Sequence, residues 1–473
     1  MNQQEPPGDS HTIDIASLAQ ELREQPAAAD SSVAQLGDAS PICIIAEVGS
    51  LTRKVDPNEY NPHHVSIGPY HRTLNPNLAR DDEKKRSLRD VMSAASPGVT
   101  VQAYLEELVR LEGRARKCYE HLFEGLTSTA FVRMLLLDAC YVLARFRCVD
   151  GYAEGRRRNV AATATANGHV QDGYHSSSAA GGGDMLEDVA VVRDVLYLAE
   201  NQIPFFIIEK IHQMTILDRG VSAASTIAAY VRELLQQYSV AMPNVAEPPG
   251  PGNLLHLLHM HFMLTILPSA TGADAEAIGE KVGRWRTATD YYFAGVKFRR
   301  RPLRTDEAQC ILDVRLDSGG GTLEIPQLNI DAETWRLLRN LMALEQHNPA
   351  VGSNVTAYCV FMSQLACTAK DVELLSRRGV ISHGLGNHTE VASFFTDLCK
   401  GIVFRLDDPD RNYLMATCQA LEKQFRSRAR RWMAWLRQKY FSNPWLAVGL
   451  AAAAIGLACA VVQAVYSVLS YRH

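Results

Sequence analysis

Apolar residues recur at helical spacing along most of the chain. Val101, Leu105, Leu108 and Leu111 fall on one helical face, because residues three and four apart lie on the same side of an α-helix. Similar periodicity, or an apolar run of helical length, predicts helices over residues 81–92, 101–122, 130–146, 185–199, 205–217, 222–240, 332–345, 355–375 and 390–402. The pattern therefore predicts a mainly α-helical body.

Two segments depart from helical spacing. Residues 295–300 and 311–325 have strand-like composition, and the second contains the run Asp317-Ser318-Gly319-Gly320-Gly321. Turn residues between strand-like segments are typical of a β-hairpin. We therefore predict a small β-hairpin element within the helical body. The alternative, an oxyanion site built from the N–H groups of the three glycines, is less favoured because strand-like segments flank them.

Two stretches carry no periodic pattern. Residues 1–40 are acidic, Pro-containing and rich in small residues, and we expect them to be disordered. They contain no apolar run of the signal-peptide type. Residues 151–184 are rich in Gly, Ala, Ser and Thr, and the apolar pattern resumes after them. We interpret this stretch as a flexible insertion within the domain.

The last apolar run is the longest. Residues 445–469 form 25 consecutive residues without a charge, which exceeds the roughly 20 needed to cross a bilayer. We predict a transmembrane helix here, followed by a short tail at 470–473; the alternative is a buried Ala-rich core helix. Gly449 and Ala453 are spaced to allow close helix packing, which is consistent with a homo-oligomer.

The net charge of −4 is the sum of an acidic region and a basic region. Eight Lys and Arg and no acidic residue lie after Glu422, which leaves 40 basic and 52 acidic residues in residues 1–422, a net of −12. We interpret residues 423–444 as a basic juxtamembrane segment, so the positive-inside rule predicts a single-pass protein with a cytosolic body. The partners would be membrane lipid and an unknown protein; plasma membrane and endoplasmic reticulum both remain open. The acidic body argues against nucleic-acid binding.

Catalytic signatures are missing from the sequence. It has no phosphate-binding G-x-x-x-x-G-K-[ST] loop and no G-x-S-x-G elbow. His256 and His259 share a helical face, but His261 points away and no carboxylate lies within six residues, so we expect structural histidines rather than a metal site. The group His63, His64 and His71 is a weaker metal candidate. We predict no catalytic, cofactor-binding or metal-binding residues and no enzymatic activity.

The ten cysteines include no C-x-x-C pair and lie among apolar neighbours. This distribution is typical of reduced core residues rather than of a disulfide framework or a zinc site.

Several phrases of the sequence resemble the plant domain-of-unknown-function-247 family. They are Tyr60-Asn61-Pro62, Val65-Ser66-Ile67-Gly68-Pro69-Tyr70-His71, Asp82-Glu83-Lys84-Lys85, Met134-Leu135-Leu136-Leu137-Asp138-Ala139-Cys140, Glu200-Asn201-Gln202-Ile203-Pro204-Phe205-Phe206, Gly295-Val296-Lys297-Phe298, Leu323-Glu324-Ile325-Pro326 and residues 340–346. They occur in family order, so one large domain over residues 41–422 is predicted. The resemblance implies a membrane-associated plant protein without an established activity, and self-incompatibility roles for some members in grasses.

Two hypotheses for function follow. The first is a membrane-anchored, non-enzymatic interaction or signalling protein, with self/non-self recognition as a specific version. The second is a hydrolase-type enzyme whose site is dispersed in sequence, using groups such as His71, Asp138 and Glu200. Convergence of these groups in a pocket would favour the enzyme, whereas scattered buried positions would exclude it. We expect residues 65–70 and 203–206 to be packing corners rather than a ligand site.

Overall fold

The computed structural model describes residues 43–148, 182–216, 221–245, 250–262, 286–317, 321–426 and 444–471. For residues 182–188 and much of 444–471 it describes the helix but not the side chains. The predicted disordered segment 1–40, nearly all of the insertion 151–184, and the turn residues 318–320 lie outside the described part. All described elements belong to one compact unit, Pro41–His473.

The described chain is mainly helical. Its helices are α1 (Ser50–Arg53), α2 (Asp81–Ala94), α3 (Val101–Arg116), α4 (Ser128–Arg145), α5 (Gly182–Tyr197), α6 (Phe205–Thr215), α7 (Ala223–Leu234), α8 (Leu254–His259), α9 (Ala288–Phe293), α10 (Thr334–His347), α11 (Asn354–Leu365), α12 (Ala369–Arg377), α13 (His388–Leu398), α14 (Met415–Arg426) and α15 (Pro444–Tyr471). Short 3₁₀ helices occur at Pro57–Glu59, Pro76–Ala79, Met260–Phe262 and Pro349–Val351.

The strands form two small sheets. They are β1 (Lys297–Arg301), β2 (Arg315–Leu316), β3 (Thr322–Pro326), β4 (Leu328–Ile330) and β5 (Ile381–His383). β2 and β3 are antiparallel, with Arg315 opposite Glu324, which confirms the hairpin. β1 adds to it in parallel with β3, and β4 pairs in parallel with β5; neither pairing was predicted.

Helix α4 lies at the centre of the first half of the fold. Every residue from Phe131 to Ala144 is buried except Arg133. The helix packs against α2, α3 and α6, while α10, α11, α12 and α13 pack together in the second half. Helices α5 and α8 contact α10 and so join the halves into one core. A helix that is apolar on all sides is expected at such a position.

Three predicted helices are shorter than expected, because residues within the predicted ranges form other hydrogen bonds. Helix α3 ends at Arg116, after which Cys118 O accepts from Ile45 N–H at 2.8 Å. Helix α7 ends at Leu234, and Tyr238 O accepts from Ile311 N–H at 2.8 Å. The predicted helix 355–375 is two helices, because the Thr368 side chain and Asp371 form a capping box that starts α12.

The prediction of a transmembrane helix over residues 445–469 is wrong. The apolar run does form the helix α15, Pro444–Tyr471. Among the described residues, however, no helix has the length and apolar character that a membrane crossing requires. The prediction of a single-pass membrane location is wrong by the same finding.

Candidate functional site

The phrases over residues 60–71, 82–85, 134–140 and 200–206 meet in one place. The segment 60–72 lies against α4 and against the link 198–204 between α5 and α6. Pro204 is the N-cap residue of α6. Hydrogen bonds between buried polar side chains and backbone groups join these pieces, so the candidate site is a buried polar cluster.

Asn201 binds the backbone of the segment 60–72. Its Oδ1 accepts from Ile67 N–H at 2.7 Å, and its Nδ2 donates to Val65 O at 3.0 Å and to Asp194 O at 3.1 Å. The side chain is completely buried. Because a buried amide without partners costs about 1–3 kcal/mol, these three bonds specify where the segment lies.

The Gln202 side chain forms hydrogen bonds to α5, to the link 198–204 and to α8. Its Nε2 donates to Val195 O and Leu198 O at 2.9 and 3.0 Å, and its Oε1 accepts from Leu254 N–H and Leu255 N–H at the start of α8. The side chain satisfies two of the N–H groups that a helix N-terminus leaves without a partner. Gln202 therefore acts as a cap for α8 supplied from outside that helix.

Gly68 permits the closest backbone approach in the cluster. Its φ is +72°, and a Cβ added there would lie 2.2 Å from Gln202 O. The same carbonyl accepts from the Tyr119 hydroxyl at 3.2 Å. Only glycine fits this position, because any side chain would collide with backbone and adopt an unfavourable φ.

Asp138 and Lys84 form a buried ion pair within the cluster. Lys84 Nζ lies 2.6 Å from Asp138 Oδ1 and donates to Ser66 O at 2.6 Å, and both side chains are fully enclosed. Asp138 Oδ2 accepts from Gly68 N–H at 2.8 Å. The two charges cancel at the point where segment 60–72 crosses α2 and α4, so Asp138 is occupied by internal partners.

The Glu200 carboxylate contacts an arginine, a histidine and a backbone N–H group. Its Oε1 accepts from Val48 N–H at 2.6 Å and from Arg53, and its Oε2 lies 3.1 Å from His71 Nε2. Burial alone would raise the pKa of Glu200, but hydrogen bonds from His71, Arg53 and Val48 outweigh it and hold that pKa below its usual value. The carboxylate is therefore kept ionised.

Asp194 on α5 holds a turn of the same segment. Its Oδ2 accepts from three successive N–H groups, those of His63, His64 and Val65, at 2.9, 2.6 and 3.2 Å. These three bonds fix the backbone of the turn against α5. Arg336 of α10 approaches the other oxygen at 3.9 Å.

A second polar group lies at the start of α11. Glu345 Oε2 accepts from Thr356 N–H and Oγ1 at 2.8 and 2.6 Å, and its Oε1 accepts from Val355 N–H at 3.0 Å. His259 Nε2 lies 2.8 Å from Oε1. Nearby Asn348 binds both backbone groups of Ile44, accepting from N–H at 2.5 Å and donating to O at 3.0 Å.

The structure separates the three histidines of the predicted helix end. His259 contacts Glu345, His256 accepts from Gly252 N–H at 3.0 Å, and His261 Nδ1 lies 3.2 Å from Ala241 O. Burial lowers the pKa of both His256 and His261 to about 4, so both are neutral near pH 7. Within the described residues, no three or more His, Cys, Asp or Glu side chains come together as metal ligands.

Of the dispersed enzyme candidates, His71 and Glu200 are brought together and Asp138 pairs with Lys84 instead. Their neighbours Arg53, Lys84 and Asp194 were not predicted. A usable signal was present for Asp194, because it interrupts the apolar run of α5 much as Asp138 interrupts that of α4. An aspartate within an apolar helical run predicts a buried partner.

Most cysteines are buried in the core, as predicted, while Cys367 and Cys399 are partly buried and Cys459 is exposed. Burial raises the pKa of Cys43 and Cys148 to about 12, and that of Cys399 to about 11. A thiol with a raised pKa carries little thiolate and is a poor nucleophile.

Comparison with known proteins identifies the family. A UPF0481 protein of Arabidopsis thaliana is 24% identical over 455 residues, covering 91% of this chain and 87% of that protein. A putative UPF0481 protein of the same plant is 21% identical over 435 residues, covering 73% and 76%. No solved structure matches. The family model DUF247, described as a plant protein of unknown function, matches residues 45–459, and the chain therefore belongs to the DUF247 family.

Proposed function

We propose that this chain is a non-enzymatic interaction protein that acts in signalling. One observation carries the proposal: the buried carboxylates of the polar cluster are occupied by donors of the same chain. Asp138 is bound by Lys84 and Gly68, and Asp194 by three backbone N–H groups. A general acid or base needs a proton-transfer partner in a substrate, whereas these groups hold one segment of chain against another.

The thiols support the same proposal. Burial and raised pKa values make the described core cysteines, such as Cys43 and Cys140, weak nucleophiles. Self/non-self recognition in pollination, which the family resemblance implies for some members, is a special case of an interaction function. It requires a partner that differs between individuals.

Proximity labelling from the intact chain in its native cells tests the proposal. A reproducible set of neighbouring proteins that also co-purify with the chain supports it. The absence of any neighbour above the level of an unrelated fusion protein of equal abundance would refute it.

The hydrolase alternative has one observation in its favour, the contact between His71 and Glu200. A histidine beside a buried carboxylate resembles the base and its orienting group in hydrolytic triads. A fluorophosphonate probe distinguishes the two functions. Labelling that is lost in His71→Gln and retained in the exposed control His121→Gln would establish the enzyme and overturn the interaction proposal.

A further inference from the structure

Strand β1 lies at the open edge of its sheet. The order of the three described strands is β1-β3-β2, so β1 pairs with β3 on one side only. Lys297 N–H donates to Gly321 O at 2.8 Å, which directs the backbone of Lys297 toward β3. Alternate residues of a strand direct their backbone groups to opposite sides. The N–H and C=O groups of Phe298 and Arg300 therefore face the free edge.

The edge is basic on one face. Side chains alternate along a strand, so Lys297, Arg299 and Arg301 share the face opposite to the buried Phe298. Arg299 pairs with Glu324 of β3, and Arg301 donates to Asp313 O at 2.9 Å. Among the described residues, Lys297 and Arg300 have no carboxylate partner, and both are exposed. A row of cations thus borders backbone groups that no other strand of the described chain pairs with.

We infer that this edge binds an extended acidic segment of a partner protein as an added strand. Strand addition supplies main-chain hydrogen bonds, and side chains at alternate positions supply specificity. The partner would carry Asp or Glu at alternate positions, where they would lie beside Lys297, Arg299 and Arg301. Opposite charges in neighbouring strand positions contribute about 0.2–1 kcal/mol each.

The same charges argue against two other occupants. Charged residues on an edge strand normally discourage pairing with other strands. A second copy of β1 would place cations beside cations, and a neutral strand would gain no ion pairs. The edge therefore disfavours basic and neutral strands and favours an acidic one. Its specificity comes from repulsion of the wrong partners together with attraction of the right one.

This inference rests on the proposed interaction function and is tested with a displayed peptide library. Glu occupies alternate positions of the library, the other positions are random, and a second library has Lys in place of Glu. The full chain should enrich peptides from the Glu library alone. Equal enrichment from the Lys library, or no enrichment from either, would overturn the inference.

Three variants locate the binding. Lys297→Glu should weaken the selected peptides about three- to tenfold by reversing a cross-strand pair. Arg300→Pro removes an outward N–H while leaving the bonds to β3, as edge strands tolerate, and should abolish binding. Lys117→Glu is the matched control, since it reverses an exposed charge at the end of α3. Equal weakening by Lys117→Glu would show general charge attraction and refute strand addition.

Hydrogen exchange gives a readout independent of affinity. Bound peptide should slow exchange of the Phe298 and Arg300 amides, and unchanged exchange at both would refute the inference even if binding is observed. In cells, wild type and Lys297→Glu are compared by proximity labelling. Loss of some neighbours in the variant supports the edge site; identical neighbours refute it but leave the interaction function standing. No neighbours for either protein would refute the proposed function itself.

Discussion

Lys84 Nζ and Asp138 Oδ1 lie 2.6 Å apart with neither side chain reached by solvent. The pair joins α2 to α4, and each partner also holds the backbone of segment 60–72, through Ser66 O and Gly68 N–H. Charges so deeply buried are tolerated only when both are paired and hydrogen-bonded. This buried ion pair therefore explains two of the phrases that carry the family resemblance, the charged one at residues 82–85 and the apolar one at residues 134–140 with its single aspartate.

Removing one member of this pair should destabilise the protein strongly. Lys84→Met leaves the Asp138 charge buried, and we expect the free energy of unfolding in urea to fall by about 3–5 kcal/mol. The double variant Lys84→Met/Asp138→Leu should recover part of the loss. Lys85→Met is the control, because Lys85 is half exposed and its surface pair with Asp82 contributes about 0–1 kcal/mol. Equal losses from the two single variants would contradict the pair's importance.

Glycine substitutions should act in opposite directions at two positions. Gly68→Ala forces a Cβ against Gln202 O at positive φ, so we expect the melting temperature to fall sharply. Gly113→Ala lies within α3 with no atom within 4 Å of the added Cβ. It should stabilise the protein by about 0.5–1 kcal/mol. A Gly68→Ala variant that melts like the wild type would refute the close approach.

Acid should destabilise the fold through its buried histidines. Burial lowers the pKa of His256 and His261 from an ordinary 6.5 to about 4, so the unfolded chain binds protons that the folded chain does not. Stability should therefore be complete above about pH 6.5 and fall as pH decreases toward 4. Urea unfolding at a series of pH values measures this slope.

His256→Gln should reduce the fall of stability between pH 6.5 and 4. His121→Gln, which changes an exposed imidazole, should leave that fall unchanged. Glu200 adds to the loss at lower pH. Its pKa is held below 4.5, so its contribution is present above that pH and disappears as pH falls through the lowered value. A stability profile that is flat from pH 7 to 4 would contradict the lowered pKa values of His256 and His261.

Glu345 should be essential for the junction of α10 and α11. Glu345→Ala leaves Val355 N–H, Thr356 N–H and His259 without their acceptor. We expect a loss of about 3 kcal/mol or more in urea unfolding, because bonds to a charged acceptor contribute about 1.5–3 kcal/mol. Glu373→Ala is the control, because Glu373 is only partly buried and pairs with the exposed Arg377; it should change stability by less than about 1 kcal/mol.

The helical segments were predictable because their signal is local. The spacing of Leu105, Leu108 and Leu111 requires only one helix to be buried, and the predicted helix begins at Val101 as observed. The end of that helix was not predictable, because it depends on a bond between Cys118 and Ile45. The parallel pairing of β1 with β3 likewise joins strands that no local turn connects.

The candidate site was predictable only in part for the same reason. His71, Asp138 and Glu200 were named as candidate groups of a dispersed site, but the partners Lys84 of Asp138 and Arg53 of Glu200 lie far away in the sequence. Which acid meets which base depends on how α2, α4 and the link 198–204 pack. The apolar run at the C-terminus shows a further limit, since composition predicted a membrane span that the described helix does not support.

The bond between Asn348 and Ile44 has a consequence for synthesis on the ribosome. The two residues are 304 positions apart, so at about 5–20 residues per second the Ile44 backbone waits about 15–60 s for its partner to be made. Thr52 waits longer, because its hydroxyl donates to Gly401 O. These two contacts of the beginning of the domain therefore form only after most of the chain has been made, whereas the bond from Ile45 N–H to Cys118 O can form much earlier.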